Sequence, residues 1–394
     1  MRMKMRNGWT AAAATALGIV AAAGVASADL TTEQSGSIIV FPKVMGTEGR
    51  DTLIQISNTG NATAYAHCYY INAAIEGRWI ETDFEIFLTK QQPTHWLARS
   101  GRTVNIFDDF GTDGAGFDPG LIPPVPLGFQ GELRCVQVDS SGAPLPANKL
   151  TGSATLIRVS DGDVSEYNAI GFPGNSLVGV NNSDNVLDLN NTPGNAGEYD
   201  ACPDTLTINT FANGVDDPVI VDLGECSSPG DCPIETFLTL VPCSQDLERL
   251  RQGEVTISIE TFDEFETVRS TSITVDCWLN ASLDDPIFSG VFNRDTLAVH
   301  ARFNPVAGDG GVIGVGEELR IDEDGASDSA WAAFNLHIEG NRFDAARDVS
   351  GDLLTALACA GGSNSGASCT GAGDCPGGAC VNGVLDQIVL PEQP

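Results

Sequence analysis

Apolar and polar residues alternate along several short runs of this sequence, and this pattern restricts the fold more than any other feature. Val255, Ile257 and Ile259 alternate with polar residues, and residues 273–279 repeat the pattern. A period of two is typical of a strand in an antiparallel sheet that covers a core with one face. Only residues 244–252 predict a helix, of two turns. The chain is therefore predicted to be all-β, which argues against enzymes built from βα units.

The predicted strands fall into two groups, separated by a segment of different composition. Residues 173–200 are rich in Gly, Asn, Asp and Ser, and we interpret them as a linker or a long surface loop. This segment separates a first predicted domain, residues 29–172, from a second, residues 201–394. Short strands with Gly, Pro and Asn between them favour a sandwich in each domain.

Residues 1–28 have the order of a secretory signal peptide. Three cations and no acid precede an Ala-rich apolar run, and Ala26-Ser27-Ala28 provides a cleavage site of small residues. The alternative is a membrane anchor, but the run is shorter than the roughly 20 apolar residues that a spanning helix needs. We therefore expect cleavage after Ala28 and a secreted protein, periplasmic or extracellular, with no membrane insertion afterwards.

The chain is strongly acidic, and its charge restricts the partners. The formal net charge is −33, and removal of the three cations in residues 1–28 takes it to −36. Such a surface repels nucleic acid and anionic lipid headgroups, so we expect neither as a partner. Three explanations stay open for the charge, which are solubility in a salty exterior, divalent-cation binding and a basic partner.

Eleven cysteines predict a disulfide framework in an oxidising compartment. We expect Cys68 and Cys135 to join the two sheets of the first domain. Cys243 pairs with Cys277 or with Cys202, and the sequence does not decide between them. One cysteine of the odd total stays unpaired. The full set is Cys68, Cys135, Cys202, Cys226, Cys232, Cys243, Cys277, Cys359, Cys369, Cys375 and Cys380.

A short repeat marks two inserts rich in Cys and Gly. Cys226 and Cys369 each begin the pattern Cys-x4-Asp-Cys-Pro, in inserts near 226–232 and 358–383. We expect the bridges Cys226–Cys232 and Cys369–Cys375 to close small loops. Zinc sites usually combine two close cysteine pairs or a pair with histidine. Neither insert has this spacing, so disulfides are favoured over zinc.

An acidic, Gly-rich loop at residues 108–120 carries the one candidate metal site. Asp109, Asp113 and Asp118 could supply oxygen ligands to calcium, with Gly between them to let the backbone turn. The loop lacks the final Glu of an EF-hand and has no flanking helices. The competing interpretation is a solvated acidic turn, and calcium is the only cofactor that the sequence suggests.

Aromatic and acidic residues gather in the first domain. Glu81, Asp83 and Glu85 alternate along one predicted strand, near Trp79 and Trp96. Tryptophan faces beside carboxylates could line a carbohydrate groove, while the competing interpretation is an exposed acidic strand with core tryptophans. A carboxylate pair could also serve a hydrolase. The sequence has no G-x-S-x-G, H-E-x-x-H or Walker motif.

Several runs resemble those of uncharacterised exported proteins of environmental bacteria. They include Ile-Val-Phe-Pro-Lys-Val and Ala-His-Cys-Tyr-Tyr-Ile-Asn within residues 36–72, and residues 88–96 and 239–244. The resemblance implies export and transfers no site residue. The paired strands are also similar to immunoglobulin-like sandwiches, which implies two immunoglobulin-like antiparallel β-sandwich domains with disulfide-closed loops.

These observations predict an exported, non-catalytic surface or envelope protein for interaction or adhesion. Its partner would be a protein or a glycan outside the cytoplasm. The first alternative is a carbohydrate-binding or glycan-active protein that uses the region of Trp79 and Trp96. The second alternative is a secreted hydrolase with a carboxylate pair.

Overall fold

A computed structural model describes most of the chain between residues 32 and 391. The described residues are 32, 34–74, 80–102, 121–160, 162–177, 184–191, 197–224, 226, 228–293, 296–306, 310–320, 330–341, 357–360, 373, 376–377, 379–382 and 386–391. The predicted signal peptide, the calcium loop with Asp109, Asp113 and Asp118, and Trp79, Cys369 and Cys375 lie outside them.

The first half of the chain forms nine strands. They are β1 (Ile38–Gly46), β2 (Arg50–Asn58), β3 (Ala64–Asn72), β4 (Ile80–Leu88), β5 (Pro93–Leu97), β6 (Phe129–Val138), β7 (Leu150–Arg158), β8 (Val164–Asn168) and β9 (Ile170–Phe172). Five of them form one sheet in the order β4-β3-β6-β1-β9, and four form another in the order β5-β2-β7-β8.

Alternation explains how these two sheets pack. Ala66, Cys68 and Tyr70 of β3 point to the same side and are buried with Ile54 and Ile56 of the opposite sheet. Side chains of a strand alternate between its faces, so a single pattern places the whole apolar set inside. One core therefore fills the space between the two sheets of the first half.

The second half repeats this arrangement with different strands. They are β12 (Pro203–Phe211), β13 (Ile234–Pro242), β15 (Glu254–Asp263), β16 (Val268–Asp276), β17 (Leu279–Ser282), β18 (Ala298–Pro305), β19 (Val312–Arg320), β20 (Ala330–Asn335) and β21 (His337–Asn341). One sheet has the order β16-β15-β18-β12-β21, and the other β17-β13-β19-β20. Val255, Ile257 and Ile259 are buried between them, as their alternation predicted.

The helical elements of the described chain are short: α1 (Pro218–Leu223), a 3-10 turn at Pro286–Phe288 and a single 3-10 residue at Gly373. The predicted helix at residues 244–252 is wrong. Its start forms a short strand, β14 (Gln245–Asp246), which pairs with a strand from the C-terminal region. Leu250 then has a φ of 51°, a left-handed conformation that a helix cannot contain. Hydrogen bonding of β14 to another strand therefore outweighed the weak helix propensity of residues 244–252.

The segment at residues 173–200 contributes two strands, β10 (Val186–Asn191) and β11 (Tyr199–Asp200). With β14 and β24 (Asp386–Val389) they form a mixed sheet of order β11-β10-β24-β14. Leu187, Leu189 and Ile388 of this sheet are buried. They share a core with Tyr69 and Ile71 on the outer side of β3. The outer side of β3 is therefore covered at Tyr69 and Ile71. A further pair, β22 (Leu357–Ala360) and β23 (Ala379–Asn382), forms a two-stranded antiparallel sheet.

Buried charged groups join the two halves. Lys43 of β1 forms an ion pair with Glu317 of β19, and Arg50 Nη1 lies 2.7 Å from Glu317 Oε1. Lys43 Nζ also donates to Asn280 Oδ1 at 2.8 Å. Burial alone would raise the pKa of Glu317, but the charges of Lys43 and Arg50 outweigh it and hold the pKa below its ordinary value.

Arginine hydrogen bonds to backbone carbonyls and cation–π contacts extend the same interface. Arg134 of β6 donates to the carbonyl oxygens of Pro242 and Cys243, at 2.5 and 2.6 Å. The Trp331 ring lies under two guanidinium groups, with Arg50 at 4.9 Å and Arg158 at 5.5 Å from its centroid. These contacts fix the second half against the first, as do the shared core residues.

Three disulfides are formed among the described residues, and they suit an oxidising compartment outside the cytoplasm. The bridges are Cys68–Cys135, Cys202–Cys243 and Cys226–Cys232. Cys68 and Cys135 lie directly opposite each other on neighbouring strands of one sheet, so this bridge links strands and does not cross between sheets. Cys243 bonds to Cys202, so its predicted alternative with Cys277 is wrong. The register of β22 and β23 also places Cys359 opposite Cys380.

No helix in the described part of the chain is long and apolar enough to span a membrane.

Candidate functional site

The outer side of β3 and β4 is the face on which polar and aromatic side chains are brought together. On β4, Glu81, Asp83, Glu85 and Phe87 point to this side, since they follow one another at every second position. The register places Phe87 opposite Tyr65 of β3. Asp83 and Glu85 are exposed, whereas their neighbours Phe84 and Ile86 are buried in the core. The alternation that builds the core thus also presents this row of side chains.

One end of this face forms a groove of about 420 Å³. Its aromatic wall is the pair Tyr65 and Phe87, whose ring centroids are 5.0 Å apart at an interplanar angle of 60°. Its acidic groups are Glu85 and Asp139, and the turn at 140–142 completes the lining. Phe87 is 36% exposed, so part of its ring is available to a ligand. Small-ligand sites have volumes of roughly 300–1,000 Å³, so the groove has room for one.

Asp139 is held rigidly by the turn that follows β6. Its Oδ1 accepts hydrogen bonds from the backbone N of Ser141 at 2.7 Å, from Ser141 Oγ at 2.6 Å and from the backbone N of Ala143 at 3.1 Å. These hydrogen bonds lower the pKa of Asp139 below its ordinary value, because they stabilise the charged form. The groove therefore contains a fixed negative charge throughout the neutral pH range.

Further along the same face, Glu81 and Tyr69 form a partly enclosed pair. The Tyr69 side chain is fully buried, and its hydroxyl has no hydrogen-bond partner among the described residues. Glu81 Oε1 is likewise enclosed and without a hydrogen-bond partner there. Burial raises the pKa of Glu81 to about 7, and the charge of Asp83 adds to the shift. Burial also raises the pKa of Tyr69, with the carboxylates of Glu81, Asp83 and Glu85 contributing.

His67 connects the two parts of this face. Its Nε2 lies 2.8 Å from Asp83 Oδ2, and its ring stacks on Tyr69 with centroids 4.5 Å apart. The side chain is buried, although Asp83 is mostly exposed. His67 therefore orients one carboxylate of the row and covers the Tyr69 ring.

Trp96, predicted as a glycan contact, lies inside the first core and is 2% exposed. Its Nε1 donates to the Tyr70 hydroxyl at 2.5 Å, and its ring meets Phe84 edge-on. It offers no face for stacking on a sugar, so this part of the hypothesis is wrong. The alternation of β5 buries Thr94 and Trp96 while Pro93, His95 and Leu97 are exposed. Tyr65, Phe87 and Asp139 were not predicted as site residues, although the alternation of β3 and β4 contained the signal for the two aromatic residues.

Metal ligation has no support in the part of the chain that is described. No group of three or more His, Cys, Asp or Glu side chains there is arranged to hold a metal ion. Glu81, Asp83 and Glu85 are spread along a strand and do not converge on one point. The calcium hypothesis for Asp109, Asp113 and Asp118 stays a prediction, because that loop lies outside the described residues.

A second cavity of about 430 Å³ opens at the edge of the second half. Its lining is more apolar, with Phe211, Ala298 and Phe334 among the residues, and Glu318 is its one acid. Glu318 is engaged by Arg320 Nε at 3.1 Å, and the Arg320 guanidinium lies 5.3 Å from the Phe211 ring centroid. Because Glu318 is already paired with Arg320, the described lining of this cavity offers no unpaired charge to a ligand, and the groove on the first half is the better candidate.

Comparison with known proteins assigns no family. No protein-family profile matches the sequence, and no curated protein matches it. Protein 1070 of Thermotoga maritima is 12% identical, with 35% of this chain and 93% of that chain covered and a TM-score of 0.22. A Pleurotus ostreatus lectin in complex with GalNAc is 10% identical, with 75% of each chain covered and a TM-score of 0.16. Its apo form is 13% identical, with coverages of 76% and 77% and a TM-score of 0.13. Structural similarity at this level carries no argument about fold or function.

Proposed function

We propose that this is an exported, non-catalytic interaction protein that binds its ligand in the groove formed by Tyr65, Phe87, Glu85 and Asp139. The observation that carries the proposal is the groove itself, which combines a partly exposed aromatic pair with two carboxylates. Binding sites typically pair apolar contact area with a few placed polar groups. Because hydrogen bonds already hold Asp139 and its turn in place, binding costs little conformational entropy at this position.

The chemistry of the groove favours binding over catalysis. Ser141 Oγ lies 2.6 Å from Asp139 Oδ1, which resembles a nucleophile beside a base. However, Asp139 accepts several hydrogen bonds and its pKa is lowered, so it is a poor proton acceptor. Glu81 and Asp83, the other carboxylates of this face, do not line the groove. The groove does contain a carboxylate pair, Glu85 and Asp139, but a hydrolase needs one carboxyl group with a raised pKa as its acid, and the pKa of Asp139 is lowered.

Carbohydrate remains the alternative ligand, with a changed location. Aromatic rings and carboxylates are the groups that stack on and hydrogen-bond to sugars, and the groove has both. This alternative now involves Tyr65 and Phe87 in place of Trp96. Glycan binding and protein binding make different predictions for the same variants.

Export, fold type and metal binding are parts of the same proposal. The signal-like residues 1–28 and the three disulfides support secretion. Paired antiparallel sheets in each half support an immunoglobulin-like sandwich as the finer description. Calcium at Asp109, Asp113 and Asp118 would add rigidity to an acidic loop, and the proposal for the groove does not depend on it.

A ligand array tests the proposal. The labelled, oxidised protein is applied to defined glycans and peptides, together with Phe87→Ala and Phe265→Ala. Phe265 is the matched control, because it is 78% exposed and lies on a hairpin of the second half. The proposal predicts at least one ligand that the wild type and Phe265→Ala bind and that Phe87→Ala loses. If every bound ligand is retained by Phe87→Ala, the groove is not the binding site.

A further inference from the structure

The acidic row on β4 has a spacing that suits an extended partner. Glu81, Asp83 and Glu85 follow at two-residue intervals, about 7 Å apart in a strand. Asp83 faces His67, whereas neither Glu81 nor Glu85 forms an ion pair with a cation in the described structure. A second extended chain repeats its side chains at the same interval. Basic residues at alternate positions of such a chain would therefore face these carboxylates in turn.

The backbone of β4 offers the second element of recognition. It is the terminal strand of its five-stranded sheet, and β3 is its one strand partner within the described residues. The outer edge of a terminal strand presents N–H and C=O groups that an added strand can pair with. Ile80 and Phe87, at the two ends of β4, are exposed enough to contact it.

The groove has the composition of a cation site. An ammonium or guanidinium group can lie within about 6 Å of an aromatic centroid and also donate to carboxylates. Tyr65 and Phe87 supply the rings, and Glu85 and Asp139 supply the acceptors. Ionised carboxylates donate no hydrogen bonds, so a donor-rich cation uses them more fully than a neutral sugar does. The net charge of −33 would also attract a basic partner over long range.

Two polar atoms, the Tyr69 hydroxyl beside the row and Glu81 Oε1 within it, have no hydrogen-bond partner among the described residues. The Tyr69 side chain is 0% exposed, and its buried hydroxyl forms no hydrogen bond with any described group. Glu81 Oε1 is also without a hydrogen-bond partner there. Buried polar groups normally find a partner, because an unsatisfied one costs free energy. Glu81 as a whole is only partly buried, so a cationic group could donate to the exposed side of its carboxylate.

We propose that β4 docks an extended basic segment of a partner protein, with one lysine or arginine side chain in the groove and another facing Glu81. The inference rests on the proposed function, because it names the ligand class for the same groove. Acidic residues on a terminal strand also protect it against pairing with another copy. That simpler role predicts self-association when the acids are neutralised, and no peptide binding.

The test is a titration of the oxidised protein with a labelled peptide that has lysine at every second position. The same peptide with glutamine in place of lysine, free spermine and a panel of neutral oligosaccharides are the comparison ligands. The variants are Glu85→Gln and Phe87→Ala, both at exposed positions. Glu254→Gln is the matched control, since it makes the same charge change on an exposed position of β15.

The expected result is binding of the lysine peptide and not of the glutamine peptide. Glu85→Gln should weaken it about fivefold, as for one partly exposed ion pair, while Glu254→Gln changes it less than about twofold. Equal losses for Glu85→Gln and Glu254→Gln would overturn the inference, since they would indicate unspecific attraction to the net charge. Tight binding of spermine without the peptide would also overturn it. If a neutral sugar binds and Phe87→Ala abolishes that binding, the proposed function stands and this inference falls.

Discussion

Replacing Glu317 with glutamine should destabilise the protein more than any other single charge removal described here. The Glu317 side chain is 2% exposed and lies between Lys43, which is 1% exposed, and Arg50. Without the carboxylate, Lys43 Nζ is left as a buried cation that donates to the neutral Asn280 Oδ1. Removal of one partner from a buried ion pair costs about 3–5 kcal/mol. We therefore expect a loss of about 3–5 kcal/mol in the free energy of unfolding.

Replacing Lys43, the other member of the pair, with methionine should reduce the free energy of unfolding by less than Glu317→Gln does. The difference between the two values tests the reasoning. In Lys43→Met, Glu317 keeps Arg50 at 2.7 Å, and Asn280 Oδ1 keeps the hydroxyl of Thr239 at 2.9 Å. We expect a cost of about 1–3 kcal/mol, the value of one charged hydrogen bond. The double variant should cost less than the sum of the two single ones, because the pair acts as a unit.

Urea unfolding of the oxidised protein measures these values, with linear extrapolation to zero denaturant. Glu318→Gln is the control, because Arg320 keeps Asp217 at 3.0 Å after that substitution, and we expect it to cost less than about 1 kcal/mol. The pKa of Glu317 is lowered on folding, so its contribution is present above the unfolded pKa and is lost as the pH falls through the folded value. A cost of Glu317→Gln below about 1 kcal/mol at pH 7 would refute the assignment of a buried pair.

Three further predictions use the same unfolding assay or a simple extension of it. The pKa of Glu81 is raised from 4.5 to about 7, so its stabilising effect is complete below pH 4.5 and is lost as the pH rises towards 7. Relative to Glu81→Gln, the wild type should therefore lose about 1–2 kcal/mol across that range, after allowance for partial solvent exposure; parallel pH profiles would contradict this. Trp96→Ala should cost about 3–5 kcal/mol and leave ligand binding at the groove unchanged, since the ring lies in the core. Non-reducing peptide mapping should recover the bridges Cys68–Cys135, Cys202–Cys243 and Cys226–Cys232. The double variant Cys202→Ser, Cys243→Ser should lose about 3–4 kcal/mol in the free energy of unfolding. A disulfide-linked Cys243–Cys277 peptide would contradict the Cys202–Cys243 bridge.

The sequence predicted an all-β chain with antiparallel sheets because alternation is a local property. Val255, Ile257 and Ile259 identify their strand and its buried face without knowledge of any other residue. The pairing of residues 245–246 with β24 depends on residues far away in the chain, so a local pattern suggested a helix instead. Likewise, the outer side of β3 is covered at Tyr69 and Ile71 only because another part of the chain packs there.

The candidate site was predictable only in part, for a related reason. The acidic row of Glu81, Asp83 and Glu85 is visible in the sequence because it lies on one strand. The groove also needs the register between β3 and β4 and the turn after β6, which brings Asp139 beside Phe87. Trp96 was misassigned because residue type alone does not distinguish a core aromatic from a ligand-stacking one.

The mixed sheet has a consequence for the order in which this chain can acquire its structure. Asp188 of β10 and Gln387 of β24 are hydrogen-bonded across 199 positions of sequence. A chain that emerges from a translocation channel from its N-terminus presents β10 long before β24 exists outside. During that interval β10 has an open edge on the side that β24 later occupies, and such edges promote association with other chains. On the proposed export route, binding of a chaperone to that edge would therefore be useful until residues 386–389 have emerged.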